Sequence, residues 1–194
     1  MAYSKDIIAM LDAKSSAKQG EKPKRRAVQH EGGLQIQCVS WFKSQFPAFA
    51  KLLFHAKNEA GGHNPKKVAI DAAAGVVPGV PDLILALPAH YQVAEASPAK
   101  SFFAEFQTFF DLGIEMKFGK TNNQTPAQKE FQRFYEASGH KYVVVRSLDE
   151  FMSVVKDYML HVPDHIINRI KEIYAADPIT AANKRLLSKI THNN

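Results

Sequence analysis

Apolar residues recur every three or four positions in the first third of the chain, which is the spacing of an amphipathic helix. This pattern predicts a short helix over residues 5–14 and a longer one over residues 31–45. The apolar positions of the longer helix are Leu34, Cys38, Trp41 and Phe42. Pro47 ends it, because helical backbone is disfavoured just before a proline. One or two further helical turns are predicted over residues 49–54.

Three shorter apolar runs have the length and composition of strands. They cover residues 81–87, 113–118 and 142–145, and the last is rich in β-branched valine. The connection between the first two contains five phenylalanines: Phe102, Phe103, Phe106, Phe109 and Phe110. Their spacing fits either a short amphipathic helix or an extended first half of the second strand, and the sequence does not decide between the two.

Two later helices begin at capping boxes, in which Ser or Thr is followed three residues on by Glu or Gln. The first box is residues 125–128, with Pro126 at the first helical position, and its helix is expected to stop at Gly139. The second box is residues 147–150, which opens a helix to about Leu160. A helical tail follows.

The element order is helix, strand, strand, helix, strand, helix, with an extension at each end. Strands and helices alternate in the later part, which favours an α/β sandwich with helices flanking a small mixed sheet. The sequence is accordingly divided into an N-terminal helix and basic arm (1–28), a central α/β domain (29–160) and a helical C-terminal extension (161–194).

Composition adds a preferred environment and a class of partner. Cys38 is the one cysteine, which excludes an intramolecular disulfide and a multi-cysteine zinc site and favours a reducing, cytoplasmic location. No apolar run approaches the roughly 20 residues of a membrane span, so no membrane partner is expected. The net charge of +6 favours a polyanionic partner. The basic segment 14–26 is either a solvated tether or an arm that touches nucleic acid.

Three charged residues on two of the predicted strands could carry chemistry. Glu115 and Lys117 are two positions apart and leave the same face of a strand, while Ile114, Met116 and Phe118 are expected to fill the other. A solvent-facing ion pair would explain these two charges. Asp82 begins a strand that continues with apolar residues, where a carboxylate is costly unless it is paired or metal-bound. If the strands are adjacent, Asp82 and Glu115 provide the hard oxygen ligands that Mg²⁺ binds, with Lys117 beside them.

This arrangement resembles the signature of the PD-(D/E)XK nucleases, in which Pro-Asp is followed by Glu-x-Lys. Six segments in chain order narrow the resemblance to the VRR-Nuc family. They are His30-Glu31 with Gln35, Phe54-His55 with Asn58-Glu59, residues 79–83, residues 114–117, residues 125–128 and residues 144–147. The resemblance covers about residues 30–158.

The resemblance implies a restriction-endonuclease-like core and a DNA endonuclease that depends on Mg²⁺ or Mn²⁺. It further implies a homodimer that cuts branched DNA such as Holliday junctions, in replication, recombination or repair, in a bacterium or a phage-infected cell. The implied catalytic residues are Glu31, Asp82, Glu115, Lys117 and Gln128. The implied metal ligands are Glu31, Asp82, Glu115 and Met116. Gln128 also completes a capping box, so its role is capping, alignment of the site or both.

Contacts to DNA are predicted less specifically. The candidates are Gln35, Lys120, Lys129, Arg133 and Arg146, and each of the four cations is equally well explained as solvated surface charge. The connection from Asp82 to Glu115 is longer than the resemblance implies, so residues 88–110 are interpreted as an insertion. This insertion is either surface filler, a dimer contact or a loop that shapes DNA.

Two other functions are compatible with the sequence. One is a nuclease fold without activity that serves as a DNA-binding or protein-interaction module, although the intact acid-acid-lysine set argues against it. The other is a nuclease that acts on RNA, for which no aromatic-rich binding strand is visible.

Overall fold

A computed structural model describes residues 31–56, 65–92, 106–119 and 122–179 of the chain. The predicted helix over residues 5–14, the basic arm, Lys120, and the chain from residue 180 onward lie outside the described residues. None of the described helices is long and apolar enough to cross a membrane.

The described residues form five helices and six strands. The helices are α1 (Glu31–Gln45), α2 (Pro65–Ala73), α3 (Pro126–Ala137), α4 (Leu148–Leu160) and α5 (Asp164–Ala176). The strands are β1 (Leu53–His55), β2 (Leu83–Leu85), β3 (Ala89–Gln92), β4 (Phe106–Phe109), β5 (Leu112–Met116) and β6 (Lys141–Val145). A short 3₁₀ helix, Pro47–Phe49, follows α1.

Four of the strands form a mixed sheet in the order β1-β2-β5-β6. The β1–β2 and β2–β5 pairs are antiparallel, whereas β5 and β6 are parallel. Leu83 pairs with Ile114, which brings the residue before β2 close to the end of β5. The predicted α/β class, with a small mixed sheet between helices, is confirmed.

One face of the sheet packs on the main hydrophobic core. Ile114 and Met116 of β5 are fully buried there against side chains from α1 and α4. The core residues of these two helices include Cys38, Phe42, Phe151, Val155 and Tyr158. Each fully buried large apolar side chain stabilises the fold by roughly 1.5–3 kcal/mol. Ile167 of α5 belongs to the same core.

Helix α3 covers the opposite face and begins as predicted. Thr125 accepts from the Gln128 backbone N–H, and the Gln128 side chain accepts in return from the Thr125 N–H. Gly79 lets this helix approach closely. It has a φ of +92°, and a Cβ atom there would lie 2.7 Å from the carbonyl carbon of Ala127 and 2.9 Å from the Gln128 nitrogen. A larger residue would displace the start of α3.

Three predictions about local structure were wrong. Residues 53–55 form edge strand β1 instead of a helix, because Leu53 pairs with Leu85 across the edge of the sheet. Phe118 is 41% exposed, since β5 ends at Met116 before reaching it. The second capping box is half formed: Ser147 accepts from the Glu150 N–H, but the Glu150 carboxylate accepts from the N–H of Arg146 instead of that of Ser147.

The phenylalanine-rich connection forms a separate hairpin. Strand β4 is extended, but it pairs with β3 in a second sheet instead of continuing β5. The hairpin packs on the main domain through Tyr91, whose ring stacks on His161 at 3.8 Å and lies 3.8 Å beneath the ammonium of Lys141. Phe102 and Phe103 lie outside the described residues. Helix α2 was not predicted.

Candidate active site

The charged residues of β5 and its end lie on the face that α3 covers. Glu115 is 1% exposed and Lys117 6% exposed, so a solvent-facing ion pair is excluded. Lys117 Nζ lies 2.9 Å from Glu115 Oε1. Gly113, two residues before Glu115, leaves room on this face: a Cβ atom there would lie 2.9 Å from both Pro81 and Tyr135.

The carboxylate of Glu115 is held by donors on both oxygens. Oε1 accepts from the Gln128 side-chain amide as well as from Lys117. Oε2 accepts from the Tyr142 hydroxyl at 3.1 Å. The two ends of the Gln128 amide therefore act separately, because its oxygen caps α3 while its nitrogen contacts Glu115.

Asp82 reaches the same place from the start of β2. Its Oδ2 accepts from the backbone N–H of Met116 at 2.7 Å. Its own carbonyl accepts from His55 Nδ1 at 2.7 Å, and the Gln35 amide lies 3.0 Å from that nitrogen. Asp82 is therefore held by β5 through its side chain and by β1 through its carbonyl, and Gln35 of α1 contacts the histidine of β1.

The surroundings of Glu115 oppose its ionisation next to the charge of Asp82. Burial raises the pKa of Glu115 above its usual value, and the nearby charge of Asp82 raises this pKa further. The hydrogen bond and charge of Lys117 and the hydrogen bond of Tyr142 act in the opposite direction but do not cancel the rise. A cation between the two carboxylates would relieve this repulsion.

The ligands present fit a hard divalent cation. Asp82 and Glu115 supply two carboxylates, and Mg²⁺ commonly binds through one or two carboxylates while keeping several waters. Continuing the β2–β5 register places Met116 opposite Pro81, which has no N–H to pair with the Met116 carbonyl. That carbonyl would therefore be available as a third oxygen ligand. In the part of the chain that the structure describes, no three His, Cys, Asp or Glu side chains gather at one point.

The remaining predicted residues are distributed as follows. Glu31 is the first residue of α1, but its side chain lies outside the described set. Lys129 and Arg133 are on the exposed side of α3. Arg146 Nη1 donates to the carbonyls of Gly119 and Asn122 at 2.8 Å each, so this side chain braces the segment that follows Lys117.

Two residues near the carboxylates were not among the predicted site residues. Tyr142 shares the Glu115 face because it lies two positions before Val144, which pairs with Glu115. That relation could be found from the sequence only with the β5–β6 register in hand. His55 was noted as part of the family pattern, but its contact with Asp82 depends on the pairing of β1, which was predicted to be helical.

Comparison with known proteins supports the fold. A solved structure described as a VRR_NUC domain protein is similar to this chain, with a TM-score of 0.52 and 24% sequence identity. The match covers 71% of this chain and 93% of that one. The fold is therefore VRR-Nuc-like, within the restriction-endonuclease-like α/β class. No protein-family model and no curated protein matches this sequence.

Proposed function

We propose that this protein is a Mg²⁺-dependent nuclease that hydrolyses DNA phosphodiester bonds. The observation that carries the proposal is that the half-buried Asp82 meets the buried pair Glu115 and Lys117 where β2 begins and β5 ends. A buried carboxylate that is repelled by a second acid is costly unless a cation joins the two. The VRR-Nuc-like fold agrees with the proposal.

The cation would be held by the carboxylates of Asp82 and Glu115 and the carbonyl of Met116, with Glu31 as a fourth proposed ligand. Bound Mg²⁺ would polarise the phosphoryl group, lower the pKa of the attacking water and neutralise charge on the leaving oxygen. Mn²⁺ would be expected to substitute, because carboxylate, carbonyl and water ligands suit both ions.

The protein's own residues would orient the reacting groups. Lys117 has only donors, so its ammonium would hold the attacking water or a phosphate oxygen and offset the charge that develops. Its contact with Glu115 fixes where that ammonium lies. Gln128 would hold Glu115 Oε1 in place from the first turn of α3.

The polymer substrate is proposed from charge and fold together. The chain carries a net charge of +6, and Lys129 and Arg133 project from the exposed side of the helix that bears Gln128. Gln35, Lys120 and Arg146 are proposed as further contacts. Selectivity for branched DNA, a homodimer and a role in recombination or repair follow only from the family resemblance and form the finer part of the proposal.

The test is nicking of supercoiled plasmid in Mg²⁺, compared between the wild type, Asp82→Asn and Asp111→Asn. Asp111 lies just before β5, at the other end from Glu115, and provides a matched control. We expect Asp82→Asn to lose at least about 100-fold in rate and Asp111→Asn to retain it. Four-way junctions, flaps and RNA assayed in parallel define the preferred substrate. No metal-dependent cleavage of any of them by the wild type would refute the proposal.

A second candidate is a nuclease fold that binds DNA without cutting it. It is favoured by the contacts of Glu115, whose two oxygens already accept from Lys117, Gln128 and Tyr142, as in a structural ion pair. DNA binding by the wild type that does not depend on Mg²⁺, without cleavage, would favour this candidate.

A further inference from the structure

Behind Glu115 lies a chain of side chains that none of the proposed catalytic roles uses. Tyr142, on the neighbouring parallel strand β6, is buried and donates its hydroxyl to Glu115 Oε2 at 3.1 Å. The Gln124 side chain, in the segment just before α3, acts as a donor toward the Tyr142 hydroxyl, and this opposes the rise in the pKa of Tyr142 that burial causes. Gln124 also donates to Gln132 Oε1 at 2.9 Å, and Gln132 donates to Glu136 at 2.8 Å.

The direction of these hydrogen bonds is set by Glu136, the residue farthest from Glu115 in this chain of side chains. An ionised carboxylate only accepts, so Glu136 takes the Gln132 N–H and leaves the Gln132 oxygen for Gln124. Gln124 therefore presents N–H groups, one to Gln132 and one to the oxygen of Tyr142. With its oxygen accepting from Gln124, Tyr142 has its single proton available for Glu115.

The three donors on Glu115 differ in what they fix. Lys117 and Gln128 both contact Oε1, so together they locate one oxygen. Tyr142 holds the other oxygen, Oε2, and two fixed oxygens define the plane of a carboxylate. A metal ligand held in one orientation by its neighbours binds more tightly than one that must be ordered on binding.

We propose that Tyr142, oriented by Gln124, is a positioning residue that fixes the plane of the Glu115 carboxylate and thereby sets the affinity of the site for a divalent cation. The cation part of this inference rests on the proposed function. The positioning part concerns contacts within the protein and can be measured without metal or DNA.

The experiment compares Tyr142→Phe with Tyr135→Phe in the full chain. Both variants remove one hydroxyl that donates to a carboxylate and keep the ring, since Tyr135 donates to Asp111 at 2.6 Å. The first measurement is the ¹⁵N spectrum of the Gln128 side-chain amide without metal, because that amide contacts the other oxygen of Glu115. The second is calorimetric titration with Mg²⁺ and with Mn²⁺. Thermal melting reports whether each variant is folded.

For Tyr142→Phe we expect a shifted Gln128 amide signal and roughly 10- to 100-fold weaker cation binding. Tyr135→Phe is expected to leave both unchanged. Gln124→Leu keeps the Tyr142 hydroxyl but removes its support, so it should change both measurements in the same direction by a smaller amount. If Tyr142→Phe does not fold, this milder variant decides the question.

Three results would overturn part or all of this account. An unchanged Gln128 signal in folded Tyr142→Phe means that Tyr142 only fills space. A shifted signal with wild-type cation affinity means that the plane of Glu115 does not govern binding. A wild type that binds no divalent cation refutes the proposed function itself, while the Gln128 signal still decides whether Tyr142 positions Glu115.

Discussion

Strand β5 has a carboxylate at each end, and the two are held in similar ways. Asp111, just before the strand, accepts from the Tyr135 hydroxyl at 2.6 Å and contacts His140 Nδ1 at 2.7 Å. Glu115, within the strand, accepts from Gln128 and Tyr142. In both cases one of these partners lies on α3. The other lies on β6 for Glu115 and immediately before β6 for Asp111.

The surroundings of these two carboxylates differ in charge and in burial. The Asp111 side chain is 19% exposed, and its carboxylate contacts a tyrosine and a histidine. Glu115 is 1% exposed, with the charges of Asp82 and Lys117 close by. A carboxylate that only accepts hydrogen bonds, such as that of Asp111, is thus compatible with a structural role in joining elements of the fold. What distinguishes a candidate cation site is a second acid, Asp82, close to a buried carboxylate.

The largest expected effect is on the rate of cleavage, which should fall when the carboxylate at one end of β5 is changed and stay nearly constant when the other is changed. Glu115→Gln keeps the shape of the side chain but removes its charge, and we expect a loss of at least about 100-fold in plasmid nicking. Asp111→Asn is expected to stay within about threefold of the wild type. Equal losses in the two variants would mean that the rate reports stability and not the site.

The second effect is on folding, measured by urea unfolding of Lys117→Met at several pH values. Loss of the ammonium leaves Glu115 as an unpaired buried charge, which costs roughly 3–5 kcal/mol. Because burial already raises the pKa of Glu115 and removal of Lys117 raises it further, the folded state binds the proton more tightly than the unfolded state. The destabilisation is therefore small near the unfolded pKa and grows as the pH rises through the folded pKa.

A double variant serves as the control for that measurement. Glu115→Gln combined with Lys117→Met removes both charges and should abolish the pH dependence of the difference from wild type. A destabilisation by Lys117→Met that is constant over pH would indicate that Lys117 contributes through packing of its stem, and that charge balance is not what governs this end of β5.

A third comparison concerns the glycines near the two ends of α3. Gly79 and Gly139 both have positive φ, so alanine strains the backbone at either site by about 1 kcal/mol. At Gly79 the new Cβ would also meet the backbone of Ala127 and Gln128. At Gly139 it would meet the ring of Phe110, a side chain that is 61% exposed and therefore has room to turn away. Gly79→Ala should therefore lower the free energy of unfolding by roughly 1–3 kcal/mol more than Gly139→Ala does. Thermal melting of the two variants measures this difference. Equal losses would mean that α3 can move away from Gly79.

The smallest expected effect is that of Tyr135→Phe. Loss of its hydrogen bond to Asp111 should lower the free energy of unfolding by about 1–2 kcal/mol and leave plasmid nicking unchanged. A clear loss of nicking would show that the Asp111 end of β5 contributes to activity, and the distinction between the two ends would then need revision.

The features that the sequence predicted correctly depend on local rules. The cap at Thr125 and the shared face of Glu115 and Lys117 follow from residues two or three positions apart. The proximity of Asp82 to this pair was conditional on two strands being adjacent, a condition that the β2–β5 pairing meets. These rules also fixed the α/β class.

The features that were missed depend on pairing between distant segments. Strand β1 has only three residues, too few for a visible alternation, and it is recognisable only from its pairing with β2. The contacts of His55 with Asp82 and of Tyr142 with Glu115 join residues 27 positions apart in each case. The pairing of β3 with β4 likewise spans residues 93–105, which lie outside the described residues.

The central claim is that the carboxylates of Asp82 and Glu115 bind one divalent cation. The most direct test is a crystal of the protein soaked in Mn²⁺, with the metal located by anomalous scattering. We predict one strong peak within about 2.5 Å of oxygens from Asp82, Glu115 and the Met116 carbonyl. A peak beside Asp111 and His140 instead, or none at either end of β5, would contradict the claim.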